Sequence, residues 1–221
     1  MLPEQVDGDD DEMVSVTLLK MFKKWTLFFI GITLLSLGIT IMIWAKALGV
    51  SPWDVFHLGL VYHSSLNYGQ VIQGIGLIVI ILSLFLGVKP GLGTVLNMLI
   101  IGWEVNFFLA HPFVPLPHNL WSLFLYLILG TAFVGVGTGL YIGANTGAGP
   151  RDSLMIGFQK KFGWPVGRAR TILELLVLFI GYLLSGPVGI GTLIYSLTIG
   201  FFVEKTIRVL EWVKSVKNSE L

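Results

Sequence analysis

Two short stretches carry the residues best suited to chemistry, Ser51-Pro52-Trp53-Asp54 and Gly149-Pro150-Arg151-Asp152. Each reads as a helix start. Proline fits the first helical position, an acidic residue suits the first turn, and Ser51 and Gly149 fall at the N-caps. A helix N-terminus carries a partial positive charge. Paired half-helix N-termini aimed at a membrane midplane can hold an anionic group, or flank an ion site. The plainer reading is that Asp54 and Asp152 only satisfy helix-end amides.

Four further groups join them as candidates. Glu174 falls near the middle of an apolar stretch, where a carboxylate is costly and functional by default. Arg170, one turn earlier, offers it a structural ion pair. His57, one turn after Trp53 and Asp54, offers a proton relay, although a lone histidine near an interface is more often a bystander. Gly91-Leu92-Gly93-Thr94 and Gly189-Ile190-Gly191-Thr192 each open a helix. Their glycines permit close backbone approach. Thr94 and Thr192 would line a central site if the loop amides do. Neither stretch is a phosphate loop, because no Gly-Lys-Ser/Thr follows. Gln73, Asn97 and Asn106 are assigned to interhelical hydrogen bonds, and Glu104 to the membrane interface.

No catalytic set is legible. Cysteine is absent, which removes thiolate nucleophiles, thiolate metal sites and disulfides. There is no His-Glu-x-x-His and no ordered Ser/His/Asp set. The reading is therefore not an enzyme, with no metal and no cofactor. A net charge of +1 also gives no reason to expect nucleic-acid binding.

The elements that position these residues must be membrane helices. Of 221 residues, 54% are hydrophobic and only 12% charged, too few charges for an ordinary soluble surface. Apolar runs at about 25–44, 68–88, 91–110, 120–145, 165–185 and 189–210 are each long enough to span a bilayer, and spanning segments must be helical. The first run is too long for a signal h-region. Two shorter segments, 52–64 and 150–162, reach only about 20 Å as helices and read as half-helices, re-entrant or interfacial. The acidic run from Asp7 to Glu12 reads as a solvated tail. Gly135, Gly139 and Gly143 form one flat stripe, assigned to packing within the chain ahead of a homodimer contact.

An offset of 98 residues repeats the pattern. Gly49, Pro52, Asp54, Gly59 and Gly69 fall on Gly147, Pro150, Asp152, Gly157 and Gly167. Gly91, Gly93, Thr94 and Gly102 fall on Gly189, Gly191, Thr192 and Gly200. Matched Gly, Pro, Asp and Thr mark special backbone positions. The fold class expected is an all-α integral membrane protein of two inverted repeats, each with three transmembrane helices plus one half-helix. The division is a cytoplasmic tail at 1–24, a first repeat at 25–108, a Pro-rich external linker at 109–122, a second repeat at 123–206 and a cytoplasmic tail at 207–221. Three crossings per half invert the second copy. With the N-terminus inside and six spans, 13 of the 14 basic residues fall inside and only Lys46 outside, as the positive-inside rule asks.

The stretches Gly49-Val50-Ser51-Pro52-Trp53-Asp54, Lys89-Pro90-Gly91-Leu92-Gly93-Thr94-Val95-Leu96-Asn97 and Gly186-Pro187-Val188-Gly189-Ile190-Gly191-Thr192 resemble the signatures of the YczE/YyaS/YitT group of bacterial membrane proteins. Gly167-Arg168-Ala169-Arg170-Thr171-Ile172-Leu173-Glu174 resembles that group's fifth helix. The resemblance covers about residues 25–210 and implies a multi-pass protein of the bacterial plasma membrane. It implies little about chemistry beyond a link of some members to secondary-metabolite production.

Two functions are expected from different classes. The first is a small secondary transporter or permease of a small molecule or ion, working within the lipid bilayer. The second is a non-transporting accessory or regulatory membrane protein.

Overall fold

The computed structural model describes residues 6–219; the chain ends beyond them, including parts of both expected tails, lie outside the described residues. Eight helices follow in order: α1 (Val6–Trp44), α2 (Pro52–Tyr62), α3 (Tyr68–Phe85), α4 (Leu92–Ala110), α5 (Leu120–Gly143), α6 (Pro150–Phe162), α7 (Val166–Leu183) and α8 (Ile190–Ser219). No strand occurs among the described residues. The all-helical expectation holds, with both half-helices at their expected places. α1 is helical from Val6, through the acidic run read as a solvated tail, and α8 continues past residue 207 to Ser219.

Thr17–Trp44 of α1, together with α3, α4 and α5, is long and apolar enough to cross a membrane. That makes four spans on length and composition where six were expected. α7 has the length but carries Arg168, Arg170 and Glu174, while α8 carries Glu204, Lys205 and Arg208. Large apolar side chains such as Trp121, Phe85 and Leu197 stand on the outside, as expected where lipid, not water, is the solvent.

Small residues set the helix crossings. α1 and α5 meet backbone to backbone: a Cβ on Gly31 would stand 2.6 Å from the Tyr141 amide, and one on Gly38 2.6 Å from the Val134 amide. Such approach is the packing mode open to membrane helices, where lipid gives no hydrophobic drive. The stripe of Gly135, Gly139 and Gly143 faces Phe202, Thr206 and Leu210 of α8 in the same chain. It is therefore covered within the monomer.

The two halves exchange their half-helices. α2 packs on α7 and α6 packs on α3. A Cβ on Gly59 of α2 would stand 2.8 Å from the Leu184 Cβ, and one on Gly157 of α6 would stand 2.8 Å from the Leu86 Cβ. Gly59 and Gly157, and likewise Leu86 and Leu184, are 98 positions apart. The loops before the half-helices follow the same rule. Gly49, at φ +95°, lies against Gly189 and Thr192, while Gly147, at φ +131°, lies against Gly91 and Thr94. Positive φ and close approach together explain why glycine stands at both loop positions.

Candidate functional site

The half-helix starts are built as the sequence suggests, with one difference. The Ser51 hydroxyl accepts from the Asp54 amide at 3.2 Å and donates to the Asp54 carboxylate at 2.5 Å. The second Asp54 oxygen accepts the Tyr68 hydroxyl at 2.7 Å. Asp54 is 1% exposed, and it ties the start of α2 to the start of α3. Asp152 makes no cap. Its carboxylate accepts the hydroxyl of Tyr141 on α5, so its task is tertiary rather than local.

A cavity of about 140 Å³ opens where the two half-helix N-termini face each other, and all eight helices contribute to its wall. Pro52, Trp53 and His57 enter from α2, and Pro150, Arg151 and Asp152 from α6. Arg170 and Glu174 enter from α7, joined at 2.9 Å. Asn97, Tyr141 and Tyr195 complete the polar part, while Ile72, Val79, Met98 and Ile101 form an apolar wall.

The polar groups are unequally satisfied. Glu174 has Arg170 and Asp152 has Tyr141. The Arg151 guanidinium lies 4.5 Å from the centre of the Trp53 ring. Among the described residues, no carboxylate pairs with it and no hydrogen-bond acceptor engages it. Two buried side-chain nitrogens also stand without partners, His57 Nδ1 and Asn97 Nδ2, in residues 2% and 6% exposed. His57 Nδ1 is 3.9 Å from Asp54 Oδ1, too far for a hydrogen bond. Buried polar groups without partners are uncommon in folded proteins and call for an explanation.

Of the residues singled out from sequence, the cavity gathers Pro52, His57, Pro150, Asp152, Arg170 and Glu174. Asp54, Thr94, Thr192 and the paired glycines stand behind it. Thr94 accepts the Gly91 amide at 3.1 Å and donates to the Ala148 carbonyl at 2.6 Å. Thr192 accepts the Gly189 amide at 3.3 Å. Both threonines therefore hold helix starts and loops, and neither lines the cavity. The glycines Gly91, Gly93, Gly189 and Gly191 admit the opposite half's loop at backbone distance; a Cβ on Gly93 or Gly191 would meet a carbonyl oxygen at 2.7 Å.

His57 is a buried cavity residue, not an interfacial bystander. Asn106 and Gln73 make the expected interhelical bonds, to the Gly69 amide and the Leu99 carbonyl; Asn97 Nδ2 does not. Glu104 is half-buried rather than interfacial and accepts from Thr33 at 2.7 Å. Trp53, Arg151, Tyr141 and Tyr195 were missed. Three of them had a signal. The 98-residue offset carries Trp53 onto Arg151 and Asn97 onto Tyr195, pairs hidden by searching only for identical residues.

Residues 22–208 match a family of unknown function, DUF6198. The chain belongs to this family. It is 38% identical over 194 residues to the uncharacterized membrane protein YczE of Bacillus subtilis, covering 86% of this chain and 89% of the relative. It is 29% identical over 189 residues to an uncharacterized protein of Haemophilus influenzae, covering 86% and 85%. It is 30% identical over 174 residues to the uncharacterized protein YyaS of Bacillus subtilis, covering 77% and 86%. No solved structure matches. With its apolar helices and these relatives, the DUF6198 chain is a multi-helix membrane protein.

Proposed function

We propose that the chain is a small secondary transporter or permease of the bacterial plasma membrane, not an enzyme, with the central cavity as its substrate site. It has six spans, made of two inverted repeats of three, and both termini are cytoplasmic. The observation that carries the reading is the meeting of Trp53 and Arg151, equivalent residues at the starts of two half-helices, at one cavity wall. Broken helices whose N-termini converge near a midplane are how inverted-repeat transporters build substrate sites. The exchanged packing of α2 on α7 and α6 on α3 supports two alike halves that can rock about that site. α2 belongs to the outer side and α6 to the inner side.

Single cysteines test this in a chain with none of its own. Ser64→Cys, past α2, and Lys161→Cys, at the end of α6, are both exposed sites. A membrane-impermeant maleimide applied to intact cells labels the first and spares the second if the reading is right. Labelling of both from one side makes the repeats parallel and removes the mechanism. If the labelling is as expected but proteoliposomes transport none of a broad metabolite set, the accessory role replaces transport.

A further inference from the structure

The cavity holds polar nitrogens that no acceptor engages. Arg151 is held in place by the face of Trp53, an attraction that fixes a guanidinium without neutralising it. Asn97 Nδ2 can only donate, and it is buried with nothing to donate to. His57 Nδ1 is buried without a partner as well, and it donates when its tautomer carries the proton there. The N-termini of α2 and α6 add partial positive charge from both sides. Of the two cavity carboxylates, Glu174 is paired with Arg170, while Asp152 takes the neutral Tyr141 hydroxyl and keeps its charge; behind the wall, the buried Asp54 carboxylate acts on Arg151 electrostatically.

We infer that the cavity binds a small organic monocarboxylate, its acid group between Arg151, Asn97 and His57 and its apolar body against α3 and α4. This rests on the substrate site proposed above and names its ligand class. A planar guanidinium accepts a carboxylate through two parallel hydrogen bonds. Ile72, Val79, Met98 and Ile101 offer nothing to a fully hydrated inorganic anion, but they do offer a dry surface to a hydrocarbon body. Size agrees: a cavity of about 150 Å³ holds one benzene, and this one is about 140 Å³.

The test uses the purified full chain in a neutral detergent, with thermal unfolding as the readout. Benzoate and hexanoate raise the midpoint in a saturable way, because a ligand bound only by the folded state stabilises it. Benzamide, hexanamide, hexylamine and inorganic phosphate do not. This acid-against-amide comparison needs no variant. Arg151→Gln then weakens benzoate binding by about ten- to a hundredfold, the worth of hydrogen bonds to a charged group; Arg151→Lys recovers part of it. Amides that act like the acids, a response to hexylamine or phosphate alone, or no response to any probe overturns the inference. Flux of labelled benzoate into proteoliposomes is read separately. Saturable binding without flux leaves the ligand class standing and removes transport. Flux of a cation without carboxylate binding does the reverse.

Discussion

The guanidinium of Arg151 rests 4.5 Å from the centre of the Trp53 ring, and the two residues are the same position of the two halves. Each follows the proline that opens its half-helix. One half supplies an aromatic face and the other a cation, so the contact joins the halves at the place where they differ.

Removing the ring is expected to cost both stability and site geometry. Trp53 is 5% exposed, and Trp53→Ala should destabilise the folded chain by about 3–5 kcal/mol, the usual cost of emptying a buried tryptophan site. Trp53→Phe keeps a face for the guanidinium and should lose much less. Unfolding in detergent with increasing dodecyl sulfate measures both. Equal behaviour of the two variants would remove the ring's role in holding Arg151.

Glycine positions give a paired comparison. Gly49→Ala places a Cβ 2.5 Å from the Gly189 amide at φ +95°, whereas Gly200→Ala meets nothing within 4 Å. The first should lower the thermal midpoint markedly. The second should leave it unchanged or raise it slightly, since alanine is the better helix former. Similar midpoints for the two would refute the close contact between the halves at the Gly49 loop.

Tyr68 anchors Asp54 through a 2.7 Å hydrogen bond. Tyr68→Phe removes a donor to a buried carboxylate and should cost about 1.5–3 kcal/mol. Ser51→Ala removes both the cap and the second hydroxyl, and its effect should not add simply to that of Tyr68→Phe, because the two share one acceptor. A double-mutant cycle on the unfolding free energies measures the coupling. Strict additivity would mean that Asp54 is not the shared partner.

The glycine stripe of α5 is filled by α8. A Cβ on Gly139 would stand 2.6 Å from the Thr206 Cβ, within reach of disulfide geometry after a small shift. Oxidising the Gly139→Cys/Thr206→Cys double variant should therefore give an intrachain crosslink that runs as a monomer on a non-reducing gel. A crosslinked dimer as the main product would return the stripe to an intermolecular role.

Helix content, the half-helices and the repeat were all legible from sequence, because each rests on local rules. An apolar run of spanning length must be helical, proline marks a helix start, and identical glycines at a constant offset mark backbone positions where a side chain does not fit. Of the six candidate site residues that reach the cavity, Pro52, His57, Pro150 and Asp152 lie in the half-helices whose starts the prolines mark, while Arg170 and Glu174 come from within α7.

Sequence alone determined that the chain is an all-helical membrane protein, and where each short helix begins. These are consequences of composition and local backbone preference. Tertiary structure decided which polar groups are satisfied. Asp54 and Asp152 match in sequence, yet one is consumed by Ser51 and Tyr68 behind the cavity while the other meets Tyr141 at its wall. Thr94 and Thr192 are spent on loops, Arg151 and Asn97 are left with unmet donors, and His57 Nδ1 is left without a partner. Whether a donor finds an acceptor depends on chain segments far away in sequence, so no spacing rule could have separated the structural carboxylate from the open guanidinium.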